Sequence, residues 1–521
     1  MTTAPAAIRR GGARDAQAVL LVVTVVVWIA LARLIFAFAR SDFSWRYVAE
    51  HTRRDAPWYY RIAGVWGGSE GSLLLFVAIV AAVAVIASRG TSPRSTATSV
   101  WFAAATVITL AAISVLVASP FARLAAPADR GFGLTPILEH PAMAAHPPLL
   151  YAGLACTLGL LMVAIDGRDP RPWLRASATL VLVAMALGAA WSYLEQGWGG
   201  YWAWDPVENT SLLVWLLCLL GLHAGGWWAG RWHRLLLGGP WLCTLLGAAF
   251  VRSGSTPSVH GFAQQASVGW ALLIATAGTA VAVALLPTPL VLEHGARPAV
   301  TVAGHVAVSL GVTAVVLAGT ALPVFVELFG GDAVAVRGVF FSRTVAPLAL
   351  LGVVLVVPRL RQARGRVAHI GFLVLLLGIG ASTFERVGVV AVTDGERAKV
   401  AGLVVEGGPV SVQPGPRIDV DAVVAEVVVA GHVLRPSLLA YPERGGVLAE
   451  TAVLTRPWRD IHVTLSTATD ADEALLIVRQ RPLVWLLWFG AVLIGWGTAG
   501  SGRRQVGGRE RPGQPESSPP G

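Results

Sequence analysis

"QAVLLVVTVVVWIALARLIFAFA", Gln17 to Ala39, carries a single charge, Arg33. An apolar run of about 20 residues is what a helix needs to cross the hydrocarbon of a bilayer. Arg9, Arg10 and Arg14 precede it, as in a signal peptide. The run is too long for a signal core, however, and no small-residue cleavage site follows, so it is expected to stay as an anchor. Comparable runs recur at 71–88, 101–119, 147–165, 174–194, 211–229, 237–252, 267–287, 299–321, 343–358, 367–383 and 483–499. The chain therefore reads as an all-α polytopic membrane protein of about twelve transmembrane helices. Its composition agrees, with 55% hydrophobic and only 13% charged residues. The net charge of +10 is then not a nucleic-acid signal. It comes from arginines in short loops, and their placement puts both termini in the cytoplasm.

Residues 384–482 break the pattern. Valine alternates with polar residues between glycine and proline punctuation, as in "RIDVDAVVAEVVV" and "RDIHVTLST". That is strand patterning, so a small β-rich domain is expected on the extracytoplasmic face. The predicted domains are a helical membrane part over 1–383, this β-rich part, a final span at 483–499 and a disordered cytoplasmic tail at 500–521. Cys156, Cys218 and Cys243 all fall in apolar runs and form no C-x-x-C. They read as small buried residues, with no disulfide framework and no covalently held haem of the chain's own.

Histidine ligates metals and haem iron, and topology sorts the 11 in the chain. His51, His140, His146, His260, His432 and His462 fall outside; His233 and His294 fall in cytoplasmic loops. His146 opens a span and His260 follows the end of another, so both belong at the outer face. His223, His305 and His369 lie within spans, on the cytoplasmic half. Ionisable residues there are costly and usually functional. Any two of these three could ligate one haem iron, and spacing does not choose between them. The plainer alternative is a hydrogen bond between helices.

Between the two outer histidines in sequence lies "GWGGYWAWDPVENTSLLVW", Gly197 to Trp215. Trp198, Trp202 and Trp204 offer flat apolar faces and indole N–H donors, and the interleaved glycines admit close backbone approach. An interfacial aromatic belt explains isolated tryptophans but not this cluster. Asp205-Pro206 reads as a helix start, with Glu208 at capping-box spacing. The acidic residues are therefore assigned to capping, and no catalytic residue is assigned. A second stretch, "WYYRIAGVWGGSEGSLLLF" (58–76), enters from the same side. Trp66, Gly67, Gly68 and Glu70 are expected to form another wall of the same vestibule, or Ser69 to cap a helix.

These stretches, with "GFGLTPILEHPAMAAHPPLLYAG", "LLGAAFVRSGSTPSVHGFA" and "TRPWRDIHVTLS", resemble the CcmF type of cytochrome c maturation haem lyase, and the 197–215 segment resembles the WWD domain of that superfamily. The resemblance covers most of the chain in family order. It implies that His146 and His260 ligate a delivered haem beside a platform of Trp198, Trp202 and Trp204. It implies that His223 and His369 hold a resident haem b, with quinol as the expected electron source, and it leaves His305 without a counterpart. The implied activity joins haem vinyl groups to C-x-x-C-H thiols of apocytochrome c at the outer face of the bacterial inner membrane. The implied partners are a CcmE-type haem chaperone and a CcmH-type presenting protein. Relative to that family the chain is expected to be short by an initial span and by membrane sequence before His369. Three alternatives share some of these features: a haem transporter or exporter, a paralogue for a special attachment motif, and a scaffold that binds no haem.

Overall fold

The computed structural model describes residues 4–89, 97–195, 200–224, 231–254, 258, 260–261, 264–285, 300–332, 334, 336–357, 360, 365–417, 420–441, 446–468 and 473–500. The platform residues 196–199, including Trp198, and the tail from 501 lie outside these.

The membrane part runs α1 (Ala4–Ala39), short α2 (Arg46–His51) and α3 (Trp58–Ala63), then α4 (Ser69–Ser88), α5 (Ala97–Leu116), α6 (Ala142–Ile165), α7 (Arg171–Glu195), α8 (Pro206–Ala224), α9 (Arg231–Ser253), α10 (Ala266–Leu285), α11 (Val300–Leu328), α12 (Gly338–Val356) and α13 (Arg366–Ser382), with α14 (Trp485–Gly500) after the β domain. Every apolar run read from the sequence holds one of these helices. Among the described residues, 10 are long and apolar enough to cross a membrane; α13 and α14 are apolar but shorter. The protein is thus a multi-pass membrane protein. Helices are the only open-ended way to satisfy backbone groups in hydrocarbon, which is why hydropathy located them.

Small residues draw α13 and α14 together. A Cβ on Gly490 would lie 2.6 Å from the Leu375 nitrogen and 2.8 Å from the Gly371 oxygen. Only bare backbone fits such an approach, as in other membrane helix pairs. The chain enters α4 through Gly68, which is the N-cap, with Ser69 the first helical residue.

Ten strands lie between α13 and α14. β1 (Arg386–Val392), β10 (Ala474–Pro482), β9 (Arg459–Ala468) and β8 (Ala452–Arg456) form a four-stranded sheet in that order. The second sheet runs β2 (Arg397–Val400), β3 (Leu403–Pro414), β4 (Asp421–Val429), β6 (Ser437–Tyr441) and β7 (Gly446–Glu450), with β5 (His432–Leu434) paired to β4. Strand side chains alternate between faces. On β9, Ile461, Val463 and Leu465 therefore fill the core between the sheets, while Asp460 and His462 take the other face.

That polar face meets the end of α7. Tyr193 Oη donates to Asp460 Oδ2 at 2.9 Å, and its ring meets His462 edge-on at 4.3 Å. Arg481 on β10 pairs with Glu385 at 2.7 Å and lies over the Tyr193 ring. A second fastening joins Arg417 to Glu139 at 2.7 Å and to the Leu134 carbonyl at 2.8 Å. Arg417 is 4% exposed. Removing one partner of a buried pair of this kind typically costs about 3–5 kcal/mol, so the β domain is held firmly at this end of the helices.

His462 is 1% exposed, and neither ring nitrogen has a hydrogen-bond partner among the described residues. Burial, then the charges of Arg481 and Arg479, push its pKa from 6.5 down to about 3. The folded protein thus holds His462 neutral, whereas the unfolded chain protonates it near its ordinary value. Its contribution to stability is complete above about pH 6.5 and is lost as pH falls toward 3, at about 1.4 kcal/mol per pKa unit. A His462→Phe variant is expected to flatten the acid limb of thermal stability between pH 6.5 and 4. An unchanged acid limb rejects this account.

Candidate functional site

The platform segment is built around a reversed turn. Trp204 adopts φ +58°, a left-handed conformation that costs a residue with a Cβ roughly 1–2 kcal/mol. Several bonds hold it there. Its ring stacks on Phe341 of α12 at 5.1 Å and 13°. Its indole N–H donates to Ser342 Oγ at 3.0 Å. Asn209 Nδ2 donates to the Trp204 carbonyl at 3.1 Å and to Thr320 Oγ1 of α11 at 3.0 Å.

Helix α8 then starts on a complete cap. Asp205 Oδ1 accepts from the Val207 N–H at 2.8 Å. Glu208 Oε2 accepts from the N–H groups of Asp205, at 3.1 Å, and Ala203, at 2.9 Å. This is the reciprocal capping box. It satisfies donors that would otherwise be stranded at the membrane boundary.

Beside this turn lies a pocket that brings together side chains from α6, α7, α8 and the segment after α9. His146, His260, Trp202, Glu208 and Gly188 all line it. His146 stands in the first turns of α6, and its Nδ1–H donates to the Ala184 carbonyl of α7 at 2.8 Å. Gly188 makes room for it: a Cβ there would sit 2.5 Å from His146 Cε1. His260 Nδ1 donates to Asp205 Oδ1 at 3.0 Å. In both rings Nδ1 is therefore engaged, and a metal would be met by Nε2. Burial works against a charged His260, but the Asp205 carboxylate and then Glu208 outweigh it and raise its pKa. Burial likewise opposes a charged Asp205. His260 and the hydrogen bonds from Ser258 and the Val207 N–H more than compensate, so Asp205 titrates below the usual carboxylate range.

Sequence reasoning missed Trp191, which falls inside the apolar run at 174–194. It lines the pocket, stacks with His140 at 6.0 Å and meets His146 edge-on at 6.1 Å. The available signal was its position three residues after Gly188, on one face of α7. The indole nitrogens of Trp191 and Trp202 are buried without partners among the described residues. A buried donor without an acceptor is costly, and both belong to this wall. The donor set suits a flat ligand with two metal-facing histidines, stacking surface and carboxylates for the indoles, as haem has.

Two expected wall residues have other work. Trp204 is not among the pocket-lining residues; it anchors the turn to α12. Trp66 is not among them either. Pro147 has no N–H and cannot bond the Met143 carbonyl four residues back. The Trp66 indole takes that acceptor at 2.8 Å, so it braces the turn bearing His146 from behind. Glu70 pairs with Arg46 at 3.7 Å.

A second histidine pair sits at the other end of α8. His223 and His369 have ring centres 5.9 Å apart and planes at 87°. Their Nδ1 atoms bond the Leu219 and Gly365 carbonyls of their own helices, at 2.8 and 3.1 Å. Two imidazole nitrogens about 2 Å from one metal keep their ring centres roughly 6 Å apart, so the pair is compatible with a shared iron. His305 on α11 is near enough to act on His223 electrostatically. Among the described residues no cluster of three or more His, Cys, Asp and Glu side chains suits a bare metal ion.

The Cytochrome C assembly protein family matches residues 170–256, which hold α8 and the platform. The chain is 34% identical over 360 residues to cytochrome c-type biogenesis protein ccl1 of Rhodobacter capsulatus, covering 64% of this chain and 55% of that protein. It is 27% identical to CycK, a cytochrome c-type biogenesis protein of Bradyrhizobium diazoefficiens, covering 90% and 88%. The chain thus spans little more than half of the length of the first of these relatives. A solved structure of Cytochrome c Heme Lyase CcmF superposes with a TM-score of 0.68 over 93% of this chain and 91% of that one. At 22% identity that likeness is one of fold.

The capping geometry separates two roles of Asp205. Asn caps as well as Asp does, whereas Ala does not. Asp205→Ala is expected to lower stability by about 1–2 kcal/mol, read as the thermal midpoint in detergent, with Asp205→Asn much closer to wild type. Equal losses in the two variants contradict the cap assignment.

Proposed function

The chain belongs to the CcmF-type family of cytochrome c-type biogenesis proteins, and on that premise we propose that it is a haem lyase. In this reading haem enters the pocket at the outer face of a bacterial inner membrane, delivered by a CcmE-type chaperone. A CcmH-type protein presents reduced apocytochrome c. The observation that carries the proposal is the convergence of His146 and His260, far apart in sequence, on one pocket walled by Trp191 and Trp202.

The chemistry asks little of acid–base groups. Each substrate S–H adds across one vinyl C=C, with sulfur on one carbon and hydrogen on the other, so nothing is lost and no net oxidation occurs. The thiols come from the substrate. Cys156, Cys218 and Cys243 are buried in α6, α8 and α9 and are absent from the pocket lining. His146 and His260 would fix the iron, the indole rings would set the porphyrin plane, and the buried indole N–H groups would receive its carboxylates. Orientation of this kind supplies most of the rate in such sites. His223 and His369 would hold a resident haem b, which supplies electrons, with quinol as their source. His223 stands roughly 25 Å along α8 from the capping box, from the helical rise of about 1.5 Å per residue.

Two measurements test this reading. Purified protein is expected to show a reduced b-type spectrum that survives combined His146→Ala and His260→Ala but vanishes with His223→Ala or His369→Ala. Equal loss in His305→Ala refutes the choice of pair. Gly188→Ala, which pushes on the His146 ring, is expected to cut covalent haem attachment to a co-expressed C-x-x-C-H apocytochrome about a hundredfold while sparing the resident spectrum. Haem bound in the wild-type pocket with no attachment favours a transporter.

A further inference from the structure

The two pocket histidines are backed unequally. His146 Nδ1–H donates to the backbone carbonyl of Ala184 at 2.8 Å. His260 Nδ1–H donates to the carboxylate of Asp205 at 3.0 Å. That carboxylate has a side chain only 2% exposed, and the Val207 N–H holds the same oxygen at 2.8 Å. A carboxylate behind a histidine pushes electron density into the ring and makes it a stronger metal ligand; a neutral carbonyl does so far less. The supports differ in the same sense. Asp205 belongs to a helix cap in which it accepts from the Val207 N–H and its own N–H donates to Glu208. The turn carrying His146 is followed by Pro147 and Pro148, so two helix hydrogen bonds are missing there, and the Trp66 indole replaces only one of them.

Iron has two axial positions. The product needs one of them for the histidine of its own C-x-x-C-H segment, so one protein histidine has to leave. We propose that His260, backed by Asp205, stays on the iron throughout attachment, and that His146 is the ligand displaced by the substrate histidine. The Fe–Nε2 bond of His146 breaks as the bond to the incoming imidazole forms. Both imidazoles are neutral, and neither a proton nor an electron changes hands. Asp205 is then a positioning residue acting through His260, beyond its work as a cap. This assignment rests on the reading of the pocket as a haem site.

The test uses the purified full-length chain titrated with haemin, with external imidazole standing in for the substrate histidine. Wild type is expected to give an added low-spin species. In His146→Ala, haemin affinity falls less than about tenfold; the species is high-spin and turns low-spin when imidazole is added. In His260→Ala the affinity falls by at least about tenfold, within the range usual for loss of support at a metal site, and imidazole does not restore it. Asp205→Asn keeps the cap but shifts the midpoint potential of the added haem upward, and Asp205→Glu restores part of the shift; a purely structural role moves neither. Equal losses at the two histidines, the reverse order, or an unmoved potential in Asp205→Asn overturn the assignment while leaving the haem site standing. A wild-type titration no different from that of the His146→Ala/His260→Ala double variant overturns the haem site, and this assignment with it.

Discussion

One carboxylate oxygen, Asp205 Oδ1, receives both the Val207 N–H at 2.8 Å and His260 Nδ1–H at 3.0 Å. The first bond caps the start of α8. The second fixes which nitrogen of His260 faces the pocket. Because both meet at one buried atom, the start of α8, the position of His260 and the shape of the pocket are set together. Glu208 completes the arrangement from the other side, bonding the backbone on both sides of Trp204. The left-handed turn at Trp204 persists because Phe341, Ser342, Asn209 and Thr320 over-determine it, as strained backbone requires.

The helices that frame this pocket also reach the far histidine pair. α8 carries the cap at one end and His223 at the other. α13 carries His369 near its start and ends at Ser382, whose hydroxyl meets Tyr201 Oη of the platform at 2.7 Å. The two histidine pairs therefore belong to one packed unit. The β domain joins the same unit through Tyr193, Arg481 and Arg417, and it does so with buried charges. Such groups are poor sources of net stability but strict about geometry. They fix the orientation of a domain that a purely apolar contact would leave free to slide.

The pocket places its polar groups sparingly. Two histidines, the Glu208 carboxylate, two indole donors and the hydroxyls of Ser192 and Ser211 are set among apolar residues. Gly188 and the Pro147-Pro148 pair shape the His146 side by what they lack: a Cβ in one case and amide hydrogens in the other. Trp66, outside the pocket, repairs one of the carbonyls that the prolines leave without a donor. Tryptophans of similar appearance in the sequence thus do different work, as wall, as anchor and as brace.

The sequence alone determined the membrane helices, the alternating strands and the capping box at Asp205 and Glu208. Each follows from local periodicity or from short-range hydrogen bonding, and water, lipid and backbone geometry enforce both on any chain. It also separated His146 and His260, which meet beside the start of α8, from His223 and His369, which meet at its other end, because span order fixes which helix end a residue occupies. Only the tertiary structure decided which residues share a wall. Trp191 came into the pocket and Trp204 did not, although both are aromatic residues at helix ends. Trp66 was drawn to a carbonyl that Pro147 had left open, and Asp205 acquired His260 as a second partner. Hydropathy does not separate an apolar side chain facing lipid from one facing a cavity, since both avoid water equally. A hydrogen bond between residues distant in sequence leaves no periodic trace. The contacts that make the site are of these two kinds, so they appear only when the helices are packed.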